Sequence, residues 1–225
     1  MLPLVRALVA NGHDVRVGGA ASFLAGSTDL AGVRVVPLGV DWEIYRAAEA
    51  FPQAERGLVG MLRDIFCDAT ALATRADVLA LARVWRPELV VRETWEIGGA
   101  LAAAELGVPC VVFGVGRYAN LEQLVDVGGE VLREHLGPSL GWVEGDVYLN
   151  SCPTALDVSG PRPAVVMDVR PVEPRTAAGQ LVHVTLGTAM HRRPGVLRSV
   201  VEALAGVEAI VTTGPGSGVS HSRLT

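Results

Sequence analysis

The stretch that most constrains the fold is a strand–helix–strand pattern in residues 86–114. Residues 89–91 form a short apolar run, which is typical of a parallel strand buried on both faces. Residues 97–106 are rich in alanine and leucine and precede Gly107, so they predict a helix that ends at a left-handed glycine. Residues 110–113 predict a second strand. This right-handed βαβ unit predicts an α/β protein with a Rossmann-like, doubly wound parallel sheet.

The same alternation continues on both sides of this unit. A doubly wound domain normally begins with a strand, whereas this sequence begins with a helix, so we expect the first strand of the domain to be missing. Hydrophobic periodicity predicts the remaining elements. They are helices at 4–10, within 41–82 and at 121–136, and strands at 15–17, 33–38, 146–150 and 164–167.

A domain boundary is predicted where residues 170–179 interrupt all periodicity. We assign residues 1–172 to an acceptor-type domain, 173–180 to a linker and 181–225 to the start of a second domain. The second part contains a strand, a turn, a helix at 196–205 and a strand at 209–212. One βαβ unit cannot cover both faces of a sheet, so we expect this second domain to be incomplete.

Composition excludes several classes of function. A net charge of -5 argues against a nucleic-acid partner or an anionic membrane. Cys67, Cys110 and Cys152 are widely spaced in apolar settings, which indicates reduced thiols and neither a disulfide framework nor a metal site. No apolar run is long enough for a membrane span, and the first residues lack the features of a signal peptide. We expect a soluble, cytoplasmic protein.

Two glycine-containing turns are candidate phosphate sites. Residues 114–119 match a G-x-G-x-x-A pattern, which would support a NAD-dependent oxidoreductase, but the pattern comes late, and Glu130 and Glu134 lie in a predicted helix. The turn that contains Gly187 and Thr188 lies between a strand and a helix start, where free N–H groups favour an anion. An ordinary βα turn explains this second pattern equally well.

Two further groups of side chains could bind or activate a substrate. Glu93 and Glu96 lie in the predicted turn at 92–96, where they could complement the helix dipole, orient a catalytic imidazole or accept hydrogen bonds from a hydroxylated substrate. A second group could line a pocket for an apolar acceptor, although core packing explains its members as readily. It consists of Trp42, Tyr45, Phe51, Met61 and Trp95.

Taken together, several segments resemble the actinobacterial natural-product glycosyltransferases of the UDP-glycosyltransferase-like GT-B superfamily. Residues 4–17 resemble the first helix and second strand of that family. The family's central acceptor-domain unit is similar in sequence to residues 85–91, 98–103 and 106–109. The opening of its nucleotide-sugar domain is similar to residues 182–188. The resemblance extends from residue 1 to about residue 216 and is specific in combination.

The resemblance implies two facing Rossmann-like domains and an inverting transfer of sugar from a nucleotide diphosphate to a hydroxyl of an apolar product, such as a macrolide or polyketide. The nucleotide sugar would be a co-substrate, and no cofactor is implied. Glu93, and Glu96 second, match the acid partner of the family's histidine base, although that partner is more usually aspartate. Gly187 and Thr188 match the turn that approaches the diphosphate. The base itself would precede Met1, so we expect a chain truncated at both ends and inactive alone.

Two alternatives from other classes remain at this stage. One is a non-catalytic partner that binds or stabilises a full-length glycosyltransferase, or forms a homo-oligomer, through an exposed sheet edge. The other is the NAD-dependent oxidoreductase that would use residues 114–119. In the transferase interpretation, the partners are a small-molecule acceptor and a nucleotide sugar.

Overall fold

The structure, a computed structural model, describes most of the chain, in two compact units, Met1–Val172 and Glu173–Thr225. The described residues are 1–27, 30, 32–41, 60, 62–118, 121–136, 144–157, 163–169, 182–185, 196–212 and 223–224. Four of the acceptor-binding candidates, the linker and the phosphate-binding candidates lie outside them: Trp42, Tyr45, Phe51, Met61, residues 173–180, Gly187 and Thr188. Within the described residues, every helix is too short or too polar to cross a bilayer.

The elements of the first unit alternate between helix and strand. Its helices are α1 (Leu2–Ala10), α2 (Ala21–Gly26), α3 (Thr70–Ala82), α4 (Ile97–Leu106) and α5 (Leu121–Leu136), with a π-helical segment at Leu62–Ala69 and a 3-10 turn at Thr154–Leu156. Its strands are β1 (Arg16–Gly19), β2 (Arg34–Pro37), β3 (Val90–Glu93), β4 (Cys110–Phe113), β5 (Val147–Asn150) and β6 (Val166–Asp168). The second unit contains β7 (Val182–Thr185), α6 (Val196–Ala203), β8 (Ala209–Thr212) and β9 (Arg223–Leu224).

Among the described strands, every pair in the first unit is parallel, whereas the second unit has one parallel and one antiparallel pair. In the first unit, β1 pairs with β2, and β3, β4, β5 and β6 form a second sheet in that order, all parallel. In the second unit, β7 and β8 are parallel, and β9 runs antiparallel to β8. The predicted α/β class with parallel sheets is confirmed. The described strands of the first unit form two sheets instead of one because no described strand joins β1 to β3.

Most predicted elements agree with the structure, and three differences stand out. Strand β3 extends to Glu93, so Arg92 and Glu93 belong to the strand and not to the predicted turn. Helix α2 and strand β9 were not predicted, and part of the predicted helical region, Leu62–Ala69, is π-helical. The two unpredicted elements, α2 and β9, have six and two residues, too few for a hydrophobic period to be recognised.

Helix α4 is the most deeply buried helix of the described chain. Ile97 and Leu101 are each 1% exposed, and the helix packs between β3 and β4 on one side and α3 on the other. Alanine on its buried face permits this close packing, and Ala100 and Ala103 contact Cys110 in β4. The helix ends at Gly107 with a φ of 66°, the left-handed cap that the sequence predicts.

Gly98 allows the backbones of α3 and α4 to come into direct contact. A Cβ atom added at Gly98 would lie 2.5 Å from the Ala71 carbonyl oxygen and 2.9 Å from the Arg75 backbone nitrogen.

We expect Gly98→Ala to lower the free energy of unfolding by about 1–3 kcal/mol, because backbone atoms cannot rotate out of the way. Urea unfolding measures the change. Gly116→Ala is the matched control, since its new Cβ would have no atom within 4 Å, and equal effects of the two variants would contradict this packing.

The three cysteines are free thiols with different exposure. Cys67 and Cys110 are buried, and Cys152 is half-buried. Burial raises the pKa of the Cys67 thiol to about 11 and also raises the pKa of the Cys110 thiol. Thiols with raised pKa values are poor nucleophiles near neutral pH. Cys67 instead has a packing role, because it contacts α5 at Gly128, where no Cβ would fit.

Candidate functional site

The carboxyl end of β3 is organised by the buried guanidinium of Arg92, which is 3% exposed. Its Nη1 donates to the carbonyl oxygens of Glu93 at 3.2 Å, Thr94 at 2.9 Å and Glu96 at 3.3 Å. One cation therefore holds three carbonyl groups of the segment between β3 and α4. Hydrogen bonds to a charged group are stronger than neutral ones, so Arg92 fixes the conformation from which both candidate glutamates project.

Glu96 caps helix α4. Its Oε2 accepts a hydrogen bond from the Gly99 backbone N–H at 2.8 Å, which satisfies one of the free donors in the first turn of the helix. Burial raises the pKa of Glu96, and the backbone N–H groups of Gly99 and Gly98 together with Arg92 offset part of that rise. Of the alternatives left open by the sequence, this geometry supports the helix-dipole role for Glu96.

Glu93 is the last residue of β3 and is half-buried. Burial raises the pKa of its carboxyl group, and this rise is partly offset by the backbone N–H of Trp95, by Arg92 and by the backbone N–H of Glu96. Carboxyl groups at the carboxyl ends of parallel strands lie where α/β proteins bind their ligands. A titratable group with a raised pKa at that position is a candidate for orienting or exchanging a proton.

The raised pKa of Glu93 predicts how stability depends on pH. A carboxyl group whose pKa is higher in the folded state stabilises the fold below its unfolded value of about 4.3, and that contribution is lost as pH rises through the folded pKa. We therefore expect Glu93→Gln to gain stability relative to the wild type as pH rises from 4.5 to 8. Urea unfolding of both proteins at several pH values measures the difference. A difference that is constant or shrinks with pH would contradict the burial of this carboxyl group.

Two cavities lie between β1 and β3. The α3-side cavity, about 370 Å³, is lined by Thr74 and Leu81 of α3 and reaches Glu93 and Glu96. The α1-side cavity, about 380 Å³, is lined by Leu4 and other residues of α1. Trp95 lines neither of them and is half-buried, two residues after Glu93 in the sequence. The structure thus brings Glu93 and Glu96 together, whereas Trp95 is the one acceptor-binding candidate that the described residues include.

Gly114 has a packing reason to be glycine. A Cβ atom at this position would lie 2.3 Å from the Tyr148 hydroxyl oxygen and 2.8 Å from Cζ of the same ring. Tyr148 also makes an edge-to-face contact with Tyr118 at a centroid distance of 5.0 Å. The glycine that suggested a dinucleotide site is therefore explained by aromatic packing at the ends of β4 and β5. Among the described residues, no cluster of His, Cys, Asp and Glu could hold a metal ion.

Comparison with known proteins identifies what this arrangement is similar to. Residues 6–175 match the family model of the erythromycin biosynthesis protein CIII-like N-terminal domain. The chain is 32% identical over 130 residues to TDP-daunosamine transferase DnrS of Streptomyces peucetius, a match that covers 48% of this chain and 30% of that protein. It is 31% identical over 140 residues to L-demethylnoviosyl transferase of Streptomyces niveus, covering 60% of this chain and 36% of that protein.

Solved structures with the same fold are GT-B glycosyltransferases of antibiotic biosynthesis. The glycosyltransferase SsfS6 of Streptomyces sp. SF2575, complexed with thymidine diphosphate, superimposes with a TM-score of 0.65 at 23% identity, over 94% of this chain and 63% of that one. Spinosyn rhamnosyltransferase SpnG, complexed with spinosyn aglycone, gives a TM-score of 0.64 at 21% identity, over 94% and 60%. The chain spans about a third of the curated relatives and less than two thirds of these structures.

Proposed function

Because the chain belongs to the family of erythromycin biosynthesis protein CIII-like N-terminal domains and is similar to a TDP-daunosamine transferase and an L-demethylnoviosyl transferase, we propose that it is the acceptor-binding part of an enzyme that transfers a sugar to a natural product. The donor is a nucleoside diphosphate sugar, and the acceptor is a hydroxyl of an apolar compound such as a macrolide or polyketide. The donor is a co-substrate, so the reaction needs no resident cofactor. The donor class is supported by the name of the relative TDP-daunosamine transferase, and the acceptor class by the structure of SpnG in complex with spinosyn aglycone.

The observation that carries this proposal is the position of Glu93 on the Arg92-organised segment at the end of β3. In the proposed mechanism, the Glu93 carboxylate orients an imidazole base, which removes the proton from the acceptor hydroxyl as the oxygen attacks the anomeric carbon. The bond from that carbon to the diphosphate breaks as the new C–O bond forms, with inversion. Holding the two substrates in line supplies much of the rate.

Two further binding roles, for the diphosphate of the donor and for the apolar acceptor, are proposed from the sequence alone. Gly187 and Thr188 are proposed to approach the diphosphate of the donor, since a turn before a helix presents free N–H groups to an anion. An apolar wall for the acceptor is proposed from Trp42, Tyr45, Phe51, Met61 and Trp95. Aromatic side chains suit a large apolar aglycone because each buries a wide surface with little loss of side-chain entropy.

The test is a reaction of the full-length gene product with a thymidine diphosphate sugar and a panel of apolar aglycones. We expect an aglycone whose mass increases by one sugar residue and whose anomeric centre, read by proton NMR, is inverted relative to the donor. Retention of configuration would contradict the inverting mechanism. Release of nucleoside diphosphate with no change in any aglycone would contradict the acceptor class.

A second candidate is a non-catalytic partner of a full-length transferase. It is favoured by the outer edge of β6, the last strand of the described sheet, where Met167 and the preceding residue of the chain, Val165, are exposed. Unpaired edges of this kind pair with strands of other chains. Co-elution of the purified chain with a full-length glycosyltransferase supports this role, and elution as a monomer in the presence of that enzyme argues against it.

A further inference from the structure

Arg92 is enclosed by the segment that it holds. A Cβ atom added at Gly99 would lie 3.7 Å from Cβ of Arg92, so this side chain lies against the start of α4. Its Nη1 is within 2.9–3.3 Å of three backbone carbonyl oxygens. Nη1 carries two hydrogens, so at least one of them is shared by two carbonyl groups. Because Arg92 is also nearly inaccessible, it can act on a substrate only through the residues that it holds.

Arg92 is the counter-charge of both glutamates. Its positive charge lowers the pKa of Glu93 and of Glu96, against the larger effect of burial, which raises both. The charge of Glu93 in turn raises the pKa of Glu96. One cation and two carboxyl groups therefore share a partly desolvated site. Removal of the cation would favour the protonated form of these carboxyl groups.

The elements packed around this site contribute further titratable groups. Burial raises the pKa of the Cys110 thiol in β4, and Arg92 offsets part of that rise. Asp146, before β5, accepts a hydrogen bond from the Cys110 backbone N–H at 2.7 Å. The α3 residues that line the α3-side cavity with Glu93 are uncharged, whereas Arg16 of β1 lines it as a second cation. Of these two cations, Arg92 is the one whose charge shifts the pKa of Glu93.

We propose that Arg92 is a positioning residue for sugar transfer, which fixes the backbone that carries Glu93 and whose charge acts on the reaction only through the Glu93 carboxylate. This role rests on the proposed function, in which Glu93 orients an imidazole base. Arg92 stabilises the ionised form of Glu93, and that form stabilises the imidazolium as the imidazole takes the proton from the acceptor hydroxyl. Arg92 thereby sets the lowest pH at which the transferase is active.

The first experiment is a double-mutant cycle of Arg92→Lys and Glu93→Gln in the full-length protein. Lysine keeps the positive charge but cannot reproduce the planar fork that holds the three carbonyl groups. kcat is measured with a thymidine diphosphate sugar and an aglycone that the wild type glycosylates, and it is corrected for the folded fraction found by urea unfolding. We expect Arg92→Lys to lower kcat about tenfold when Glu93 is present, and less than about twofold when Glu93→Gln is present.

The matched control for this cycle is Arg86→Lys, which makes the same replacement at an exposed residue before β3. It should leave kcat unchanged. The same loss from Arg92→Lys with and without Glu93→Gln would show that the two residues act independently, and it would overturn the proposal. So would an unchanged kcat in Arg92→Lys alone, or an equal loss in Arg86→Lys.

The second experiment separates the charge of Arg92 from its geometry. Arg92→Gln removes the charge but keeps an amide N–H that can donate to a carbonyl oxygen. On the acid side of the pH profile, we expect the pH of half-maximal kcat to rise by at least about half a unit in Arg92→Gln, and to stay at the wild-type value in Arg92→Lys. A purely structural role would lower kcat equally at every pH. Equal half-maximal pH values in the three proteins would overturn the role of the charge, and the cycle with Arg92→Lys keeps the proposal testable if Arg92→Gln does not fold.

A third measurement needs no activity. The gain in stability caused by Glu93→Gln is followed against pH by urea unfolding of the 225-residue chain, with and without Arg92→Gln. This gain levels off above the folded-state pKa of Glu93, so we expect it to level off at higher pH when Arg92 is replaced. A full-length protein that glycosylates no aglycone would contradict the proposed function, whereas a gain that levels off at the same pH in both backgrounds would overturn the link between Arg92 and Glu93.

Discussion

Replacing Glu93 by glutamine is expected to lower the rate of sugar transfer by the full-length protein about 10²- to 10⁴-fold. Glutamine keeps the size of the side chain and can still accept hydrogen bonds from the N–H groups of the turn. It removes the negative charge that would stabilise an imidazolium as the acceptor hydroxyl loses its proton. The measurement is kcat at saturating donor and acceptor, with KM for the acceptor determined in parallel.

Glu96→Gln is the matched control for this prediction. The amide oxygen of glutamine can still accept from the Gly99 N–H, so the cap of α4 is retained and kcat should change less than about tenfold. The two glutamates are three residues apart and share Arg92 as a neighbour, so a general effect of lost charge would act on both. Equal loss of kcat in the two variants would contradict the specific role of Glu93.

Arg92→Ala is expected to lower the free energy of unfolding by about 2–5 kcal/mol, the largest effect on stability among these variants. The substitution leaves the carbonyl groups of Glu93, Thr94 and Glu96 without their shared cationic donor. It also opens a cavity where a nearly inaccessible side chain had been. Urea unfolding of the 225-residue chain measures the loss.

Arg86→Ala is the control for the stability prediction, because Arg86 is exposed on the segment before β3 and the same residue type is removed. Its effect should stay within about 0.5 kcal/mol. Arg92→Lys should fall between the two, since one ammonium group cannot reproduce the planar fork of the guanidinium. If Arg92→Ala and Arg86→Ala change the stability equally, Arg92 does not organise the end of β3.

Local patterns explain why the central unit was predictable from the sequence. An alanine-rich run before Gly107 predicts α4 because helix propensity and the left-handed cap are properties of neighbouring residues. The apolar runs of β4 and β8 predict buried strands for the same reason. The observed bounds Ile97–Leu106, Cys110–Phe113 and Ala209–Thr212 agree with those predictions.

Features that depend on distant parts of the chain could not be predicted in this way. Arg92 would ordinarily be exposed, and only the tertiary fold shows that its guanidinium is buried against three carbonyl groups. Likewise, Gly98 must be glycine because it packs against the backbone of α3 at Ala71 and Arg75, which lie 27 and 23 residues earlier in the chain. The role of Gly114 depends on Tyr148 in another strand.

For the candidate site, the residue pattern alone left both a helix-dipole role and a catalytic role open for the two glutamates. The family resemblance ranked Glu93 before Glu96 as the acid partner of a base. The structure separates them: Glu96 is occupied by the α4 cap, and Glu93 ends a strand. The capping role of Glu96 could have been predicted from the sequence, because Glu96 directly precedes the predicted helix that contains Gly99.

The measurement that tests the central claim most directly is release of nucleoside diphosphate by the full-length gene product, with and without an apolar aglycone. The account predicts that release from a thymidine diphosphate sugar depends on the aglycone and equals, mole for mole, the amount of glycosylated product. Release at the same rate with and without an aglycone would show hydrolysis, and it would contradict the claim that this chain provides the acceptor-binding part of a glycosyltransferase.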